Sequence, residues 1–347
     1  MNAALLGLLI LIVAGVANGS FTLPMKFTHA WAWENTWLIY TVWALVVFPP
    51  LLATLTVPHL GAIYASPGAA SLAWIVAACG FGWGVSQIFF GLAVDSVGMA
   101  IAFAVILGLS AAVGSLEPLL RRNPAALFQP LGLQVLGGVA LVLAGVGICA
   151  VAGKRREAAQ HAAAGEAAGG AGAAAAPARK ASLAVGLVYC LISGVGSALV
   201  NIGFTEGAPL QQLARGQGAA ALWAPNVIWL PLMLAGGVPG WIYCSYLVRK
   251  NRTAPRFQRP GTGMYWLLAG VMGLLWFGST VLYGIGAGEL GSLGTVLGWP
   301  VFMSLIVITA AVHGLRTGEW KGSRGPARIQ ALGLAVLVLA IVVLSRA

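Results

Sequence analysis

The sequence predicts an all-α integral membrane protein, with ten transmembrane helices arranged as two inverted five-helix repeats. Three observations predict it. Hydrophobic residues make up 59% of the chain and charged residues 8%, where an ordinary soluble domain carries about 25% charge. The apolar residues gather into ten segments of about 20, the length that a hydrocarbon core of about 30 Å demands. One pattern also occurs twice. Trp83 to Gly98 (WGVSQIFFGLAVDSVG) and Trp276 to Gly291 (WFGSTVLYGIGAGELG) share the frame W-x-x-S-x-x-x-[FY]-G-x-x-x-x-x-x-G, which marks an internal repeat. Two related halves of five crossings must be inverted, because an odd number of crossings flips the second copy.

Span 1 is expected over Ala3 to Pro24. It could be a leader ending near Ala17-Asn18-Gly19, but it lacks a positive n-region and is long enough to cross. Spans 2 to 5 come next at roughly Trp37 to Val57, Ser71 to Val94, Met99 to Leu120 and Leu131 to Gly153, so residues 1–153 form the first repeat. Residues 154–181 are an Ala/Gly-rich, basic-ended tract without large apolar side chains, which predicts a mobile linker. Residues 182–347 hold the second repeat, with spans 6 to 10 at roughly Ser182 to Thr205, Trp223 to Val248, Met264 to Ala287, Leu290 to His313 and Ile329 to Leu344.

Lys and Arg loops face the cytoplasm. Most of the 19 Lys and Arg residues lie in the linker and in the loops after spans 7 and 9. Arg249, Lys250, Arg252, Arg256 and Arg259 share one of those loops, whereas the opposite side has only Arg121, Arg122, Arg215 and Arg346. Both termini are therefore expected outside and the linker inside, in the inner membrane of a bacterium. The net charge of +11 fits loops against an anionic leaflet and not nucleic-acid binding. Cys79, Cys149, Cys190 and Cys244 each sit alone in an apolar segment, which predicts neither a metal site nor a disulfide.

A polar side chain in a span costs a few kcal/mol unless it is paired or lines a cavity, so such residues are candidates for a transport path. Ser193, Ser197, Asn201 and Thr205 form a stripe on span 6, and Asn18 and Thr22, with Lys26 beyond, form a shorter one on span 1. Serine and threonine hydroxyls usually bond the preceding turn. An Asn amide has two donors and an acceptor that no local turn satisfies, so Asn18 and Asn201 are expected at a cavity. On a helix, Trp83, Gln87 and Phe90 share one face, as do Trp276, Thr280 and Tyr283. Amides exchange hydrogen bonds with hydroxyls, and an aromatic face covers the C–H face of a sugar ring. Asn18, Trp83, Gln87, Asn201, Asn226, Trp276, Thr280 and Tyr283 are thus the expected binding set for a neutral polyhydroxylated solute. The competing assignment for tryptophan is the interfacial belt, and it suits Trp31, Trp33 and Trp320. Gly80-x-x-x-Gly84 and Gly284-x-x-x-Gly288 are read as close-packing pairs.

A proton-coupling carboxylate must come from a short set, and Glu34 and Glu117 are the candidates. Glu34, in WAWENTW, stands at the mouth of span 2 with Lys26 nearby, and Glu117 precedes Pro118 at the end of span 4. His313, at the end of span 9, is a weaker one. No cofactor or metal ligand set is predicted, and no phosphate-binding loop for an ATP-driven pump is present.

Pro24-Met25-Lys26, Trp31-Ala32-Trp33-Glu34-Asn35-Thr36-Trp37, Trp83-Gly84 with Phe90-Gly91-Leu92, Gly98-Met99, Gly145-Val146-Gly147-Ile148, Asn201, Tyr283-Gly284 and Gly298-Trp299 through Glu319-Trp320 keep a collinear order. In that order the chain resembles the L-rhamnose/proton symporter family of the drug/metabolite transporter superfamily, over nearly its whole length outside the linker. The resemblance implies ten helices in two inverted repeats and proton-driven uptake of a deoxy sugar. Enterobacterial members carry a more polar, acidic stretch after span 8, where this chain has Gly291-Ser292-Leu293-Gly294-Thr295-Val296. The alternatives are a metabolite or drug exporter of the same superfamily and, from another class, a membrane enzyme or receptor; the enzyme would need clustered carboxylates, His or a metal motif. On the importer reading, Gln87→Leu or Asn201→Leu abolishes solute uptake while the folded protein still reaches the membrane. Uptake in membrane vesicles, with protein level as control, checks it.

Overall fold

A segment crossing a bilayer must satisfy every backbone N–H and C=O within itself, which a helix does. The computed structural model describes all residues except 1–2, 123, 168–182, 319, 321 and 347. Among the described residues there is no strand, and ten helices are long and apolar enough to cross. They are span 1 (Ala3–Phe27), span 2 (Trp33–Thr56), span 3 (Ala69–Val97), span 4 (Ile101–Arg121) and span 5 (Pro130–Gln160), then span 6 (Ala184–Gly216), span 7 (Asn226–Lys250), span 8 (Gly263–Glu289), span 9 (Gly294–Arg316) and span 10 (Arg324–Leu344). Successive crossings put Ala3 and Leu344 on one side, here the terminal face, and the segment between spans 5 and 6 on the other, the linker face. Span 2 is not regular. Pro49 and Pro50 remove two backbone donors, and the chain widens into a π-helical turn, Trp43–Val47, just before them.

The expected mobile linker needs correction in its first part. The helix of span 5 runs on from Pro130 to Ala167, through Lys154, Arg155 and Arg156. Alanine has the highest helix propensity of any residue, so an Ala-rich tract continues a helix already nucleated by the bilayer. The remainder of the expected linker, residues 168–181, lies outside the described residues.

Span 3 packs on spans 6 and 7, and span 8 on spans 1 and 2. Span 4 packs on spans 5 and 6, and span 9 on spans 10 and 1. Spans 2 and 7, 4 and 9, and 5 and 10 touch in pairs. Close approach sets the centre of this arrangement. A Cβ at Gly80 would stand 2.0 Å from the Leu232 carbonyl oxygen, and one at Gly84 would stand 2.2 Å from that of Gly236. The Gly80/Gly84 pair is therefore a backbone-to-backbone seam between spans 3 and 7. The expected second pair does not match it. Gly284 faces the side chains of Trp229 and Phe204, and nothing lies within 4 Å of a Cβ at Gly288. Span 8 instead approaches span 2 at Gly273, whose Cβ would meet Trp43 at 2.8 Å.

Gly80→Ala is accordingly expected to cost about 1–3 kcal/mol through overpacking and to lower the melting temperature of the detergent-purified protein. Gly288→Ala, in open space on a helix, leaves it unchanged or raises it.

Candidate functional site

The repeated motif meets its own copy inside the bundle. Trp83 of span 3 and Trp276 of span 8 stack, with ring centroids 5.4 Å apart and planes 15° from parallel. The motif serines sit one turn along. Ser86 donates to the Trp83 carbonyl at 2.7 Å and Ser279 to that of Trp276 at 2.6 Å, which leaves each oxygen's lone pairs for a neighbouring span. Asn18 of span 1 donates its amide to Ser279 Oγ at 2.8 Å. Gln87 Nε2 reaches Ser197 Oγ of span 6 at 3.3 Å and Ser86 Oγ at 3.4 Å. Thr280 donates to the Trp276 carbonyl at 3.0 Å.

Asn18, Trp83, Gln87, Trp276 and Thr280 therefore gather within about a helical turn of the indole stack, where spans 1, 3, 6 and 8 meet. The Gln87 bonds are long for hydrogen bonds, and both amides donate to hydroxyls. Such contacts exchange readily for the hydroxyls of a polyol.

Asn201, Tyr283 and Asn226 stand nearer the terminal face. Asn201 is fully buried. Its amide donates to the carbonyls of Gly114 at 2.7 Å and Thr295 at 3.1 Å, and its oxygen accepts from the Tyr283 hydroxyl. One side chain on span 6 thus ties span 4, span 8 and the start of span 9. The expectation that this amide has no local partner holds, but three other segments supply what a cavity was expected to. Tyr283 is wrapped by Phe204 at 5.9 Å, Trp299 at 5.4 Å and Phe302 at 5.2 Å, and Phe204 stacks on Trp229 at 4.5 Å. All five aromatics are buried. Asn226 begins span 7 and donates to Thr56 Oγ1 at 2.9 Å, while its Oδ1 is buried without a partner among the described residues.

Sequence reasoning missed an aromatic track toward the linker face. Trp276 meets Tyr40 edge-on at 6.4 Å. Tyr40 contacts Trp37 at 5.0 Å and Phe21 at 5.5 Å. Trp37 stacks on Trp33 at 5.2 Å, and Trp33 is 46% exposed. The signal was available, since Trp33, Trp37 and Tyr40 fall at i, i+4 and i+7, as Trp83, Gln87 and Phe90 do.

Neither candidate carboxylate adjoins the indoles. Glu34 is 6% exposed and accepts from Asn251 Nδ2 and Thr253 Oγ1, each at 3.0 Å. With Asn35 Nδ2 donating to the Thr253 carbonyl at 3.1 Å, it anchors the start of span 2 to the loop after span 7. The partner expected from sequence, Lys26, donates instead to Thr317 Oγ1 at 3.4 Å. Glu117 lies at the terminal face beside Arg121 (3.8 Å), which also pairs with Glu206 of span 6 at 2.8 Å. Glu117 and Arg121 line an open recess of about 520 Å³. At the linker face, Ser20 Oγ and His313 Nε2 are 2.8 Å apart. The four cysteines are free thiols. Among the described residues no three His, Cys, Asp or Glu side chains cluster as a metal site.

Comparison with known proteins accords with this architecture. Residues 1–347 match the family described as L-rhamnose-proton symport protein. An L-rhamnose-proton symporter of Cronobacter sakazakii (strain ATCC BAA-894) is 26% identical over 347 residues, 98% of this chain and 96% of the relative. That of Yersinia pestis (strain Pestoides F) is 26% identical over 349 residues, with the same coverage.

The Asn201 clasp yields a stability test. Asn201→Leu strands two carbonyls and the Tyr283 hydroxyl in a buried cluster, at about 1–3 kcal/mol for each group left unsatisfied. Tyr283→Phe removes a single donor and costs less. Because the two share a bond, the double variant loses less than the sum of the singles. Thermal unfolding of the four purified proteins measures this.

Proposed function

The chain belongs to the L-rhamnose-proton symport protein family, and from that premise we propose that it imports a small neutral sugar, L-rhamnose first, together with protons. The observation that carries the site is the Trp83–Trp276 stack with amides on either side. Rhamnose is a deoxy sugar, with a methyl group and C–H faces that suit indole and hydroxyls that suit Asn18 and Gln87. A ring held between two indoles needs two van der Waals contacts of about 3.5–4 Å each. Indoles 5.4 Å apart leave no room for it. Binding therefore parts the stack, and the sugar replaces one indole face with its own.

The two halves, 1–153 and 182–347, are taken as inverted repeats joined through 154–181. What supports this is the exchange of neighbours: renumbering each span by five turns the pair 3–6 into 8–1, 3–7 into 8–2 and 4–6 into 9–1, and returns 2–7, 4–9 and 5–10 to themselves. A site between such repeats lies near the middle of the membrane and is reached from each side in turn. The Lys and Arg distribution supports a linker face in the cytoplasm and termini outside, in a bacterial inner membrane. In that frame the buried cluster around Asn201 and Tyr283 closes the outer side, and the aromatic track through Tyr40, Trp37 and Trp33 leads to the inner one. No chemical conversion of the solute is proposed, and Asn226 takes a helix-start role next to Thr56.

Proteoliposomes with an imposed inward proton gradient are expected to accumulate radiolabelled L-rhamnose, and a protonophore to abolish it. Gln87→Leu and Trp276→Ala each lower uptake tenfold or more, equivalent to at least about 1.4 kcal/mol. A folded wild-type protein that neither accumulates nor exchanges rhamnose removes the substrate assignment. Efflux without accumulation instead marks an exporter.

A further inference from the structure

The assignment of a proton site rests on the inverted-repeat reading, and contacts put the two repeats in register. A Cβ on Gly7 of span 1 would meet Glu289 and Leu290 of span 8, and one on Gly186 of span 6 would meet Ser96 and Val97 of span 3. Gly15 faces Leu305 of span 9 as Gly194 faces Leu109 of span 4. In this register Asn18 corresponds to Ser197, and each lies against the motif serine of the span it packs on: Asn18 on Ser279, and Ser197 beside Ser86, with Gln87 donating to both of those serines. Carried two turns further along spans 4 and 9, the register that pairs Leu109 with Leu305 pairs Glu117 with His313 and Arg121 with Thr317.

The outer and inner ends of the path are thus closed by equivalent joints, each holding a titratable group. Outside, Arg121 of span 4 bonds Glu206 of span 6, with Glu117 alongside. Inside, His313 of span 9 bonds Ser20 of span 1 at 2.8 Å, and Lys26 reaches Thr317 at 3.4 Å. The inner joint is made on the helix that carries Asn18: Ser20 is two positions further along span 1, on the other side of that helix.

The hydroxyl geometry sets the proton inventory. The shorter contact of Ser20 Oγ, 2.6 Å, is to the Val16 carbonyl, which can only accept. The single hydroxyl proton goes there, so His313 Nε2 carries N–H and donates to Ser20, and a further proton binds Nδ1. The charged groups at this end of the elements packed on span 9 are Lys26 of span 1, Lys154, Arg155, Arg156 and Glu157 of span 5, and Arg324 and Arg328 of span 10, with Arg316 on the helix of His313 itself. Arg156 is drawn onto the Trp320 ring, 4.9 Å from its centroid.

We propose that the Ser20–His313 pair is the proton-coupling site: His313 Nδ1 takes up the co-transported proton and releases it to the inner side, and its charge state acts through Ser20 on the helix of span 1, whose opposite side carries Asn18. Glu34 is an anchor and Glu117 an outer-joint residue in this scheme. Sugar bound at Asn18 and a proton bound at His313 then act on the same stretch of span 1, which is what coupling of the two fluxes requires.

The test separates coupling from transport. In proteoliposomes, His313→Gln keeps a donor toward Ser20 but cannot take up a proton. It is expected to retain rhamnose counterflow while gradient-driven accumulation falls to the external concentration. Ser20→Ala removes the acceptor of the His313 Nε2 proton, so the pH profile of accumulation moves. Accumulation by His313→Gln at the wild-type level overturns the proposal. So does loss of counterflow and accumulation together in a folded His313→Gln protein whose Ser20→Ala companion shows an unmoved profile. Absence of proton-driven accumulation in the wild type itself brings down the symport reading instead, and this proposal with it.

Discussion

A side-chain amide inside a bilayer has no water to turn to, and that constraint orders the interior of this protein more than any single apolar contact. The half toward the terminal face answers it at Asn201, whose two amide donors and oxygen are engaged by three other segments, and then surrounds the result with aromatic rings. The central region answers it only loosely. Gln87 holds hydroxyls at 3.3 and 3.4 Å, distances at which a hydrogen bond contributes little. Tight satisfaction makes a wall, and loose satisfaction makes a place where a solute's hydroxyls can compete.

The ten spans are plain in the composition because hydropathy is a local property, whereas the family shows only as a resemblance in the collinear order of short motifs such as Trp31-Ala32-Trp33-Glu34-Asn35-Thr36-Trp37. Roles within the site are legible only in part. Trp83 and Trp276 stand out by their equivalence in the repeat, and they do meet. Asn201 and Asn18 look alike in sequence, yet one is clasped by carbonyls and the other by a serine hydroxyl. The difference is made by Gly114, Thr295 and Ser279, residues far from them along the chain. Glu34 reads as a partner of Lys26 because they are close in sequence, whereas its real partners, Asn251 and Thr253, come from the second half. The second glycine seam fails for a related reason. Gly284-x-x-x-Gly288 has the right spacing, but spacing does not say which neighbour approaches, and at Gly288 none does.

The linker tract shows the opposite kind of error. Its composition signals flexibility by the absence of large apolar side chains, but Ala-rich sequence also favours helix once a nucleus exists. Span 5 supplies that nucleus, and the helix continues to Ala167.

The stacked indoles have a further consequence for the empty carrier. An aromatic pair of this kind is worth about 0.5–1.5 kcal/mol beyond the area it buries, and at the proposed site a sugar would enter only the fraction of molecules in which it has come apart. That self-contact would weaken the apparent affinity by about three- to fourteenfold relative to a permanently open site. The same contact would shut the centre of a carrier without cargo, so that a modest affinity would be the physical counterpart of a low leak.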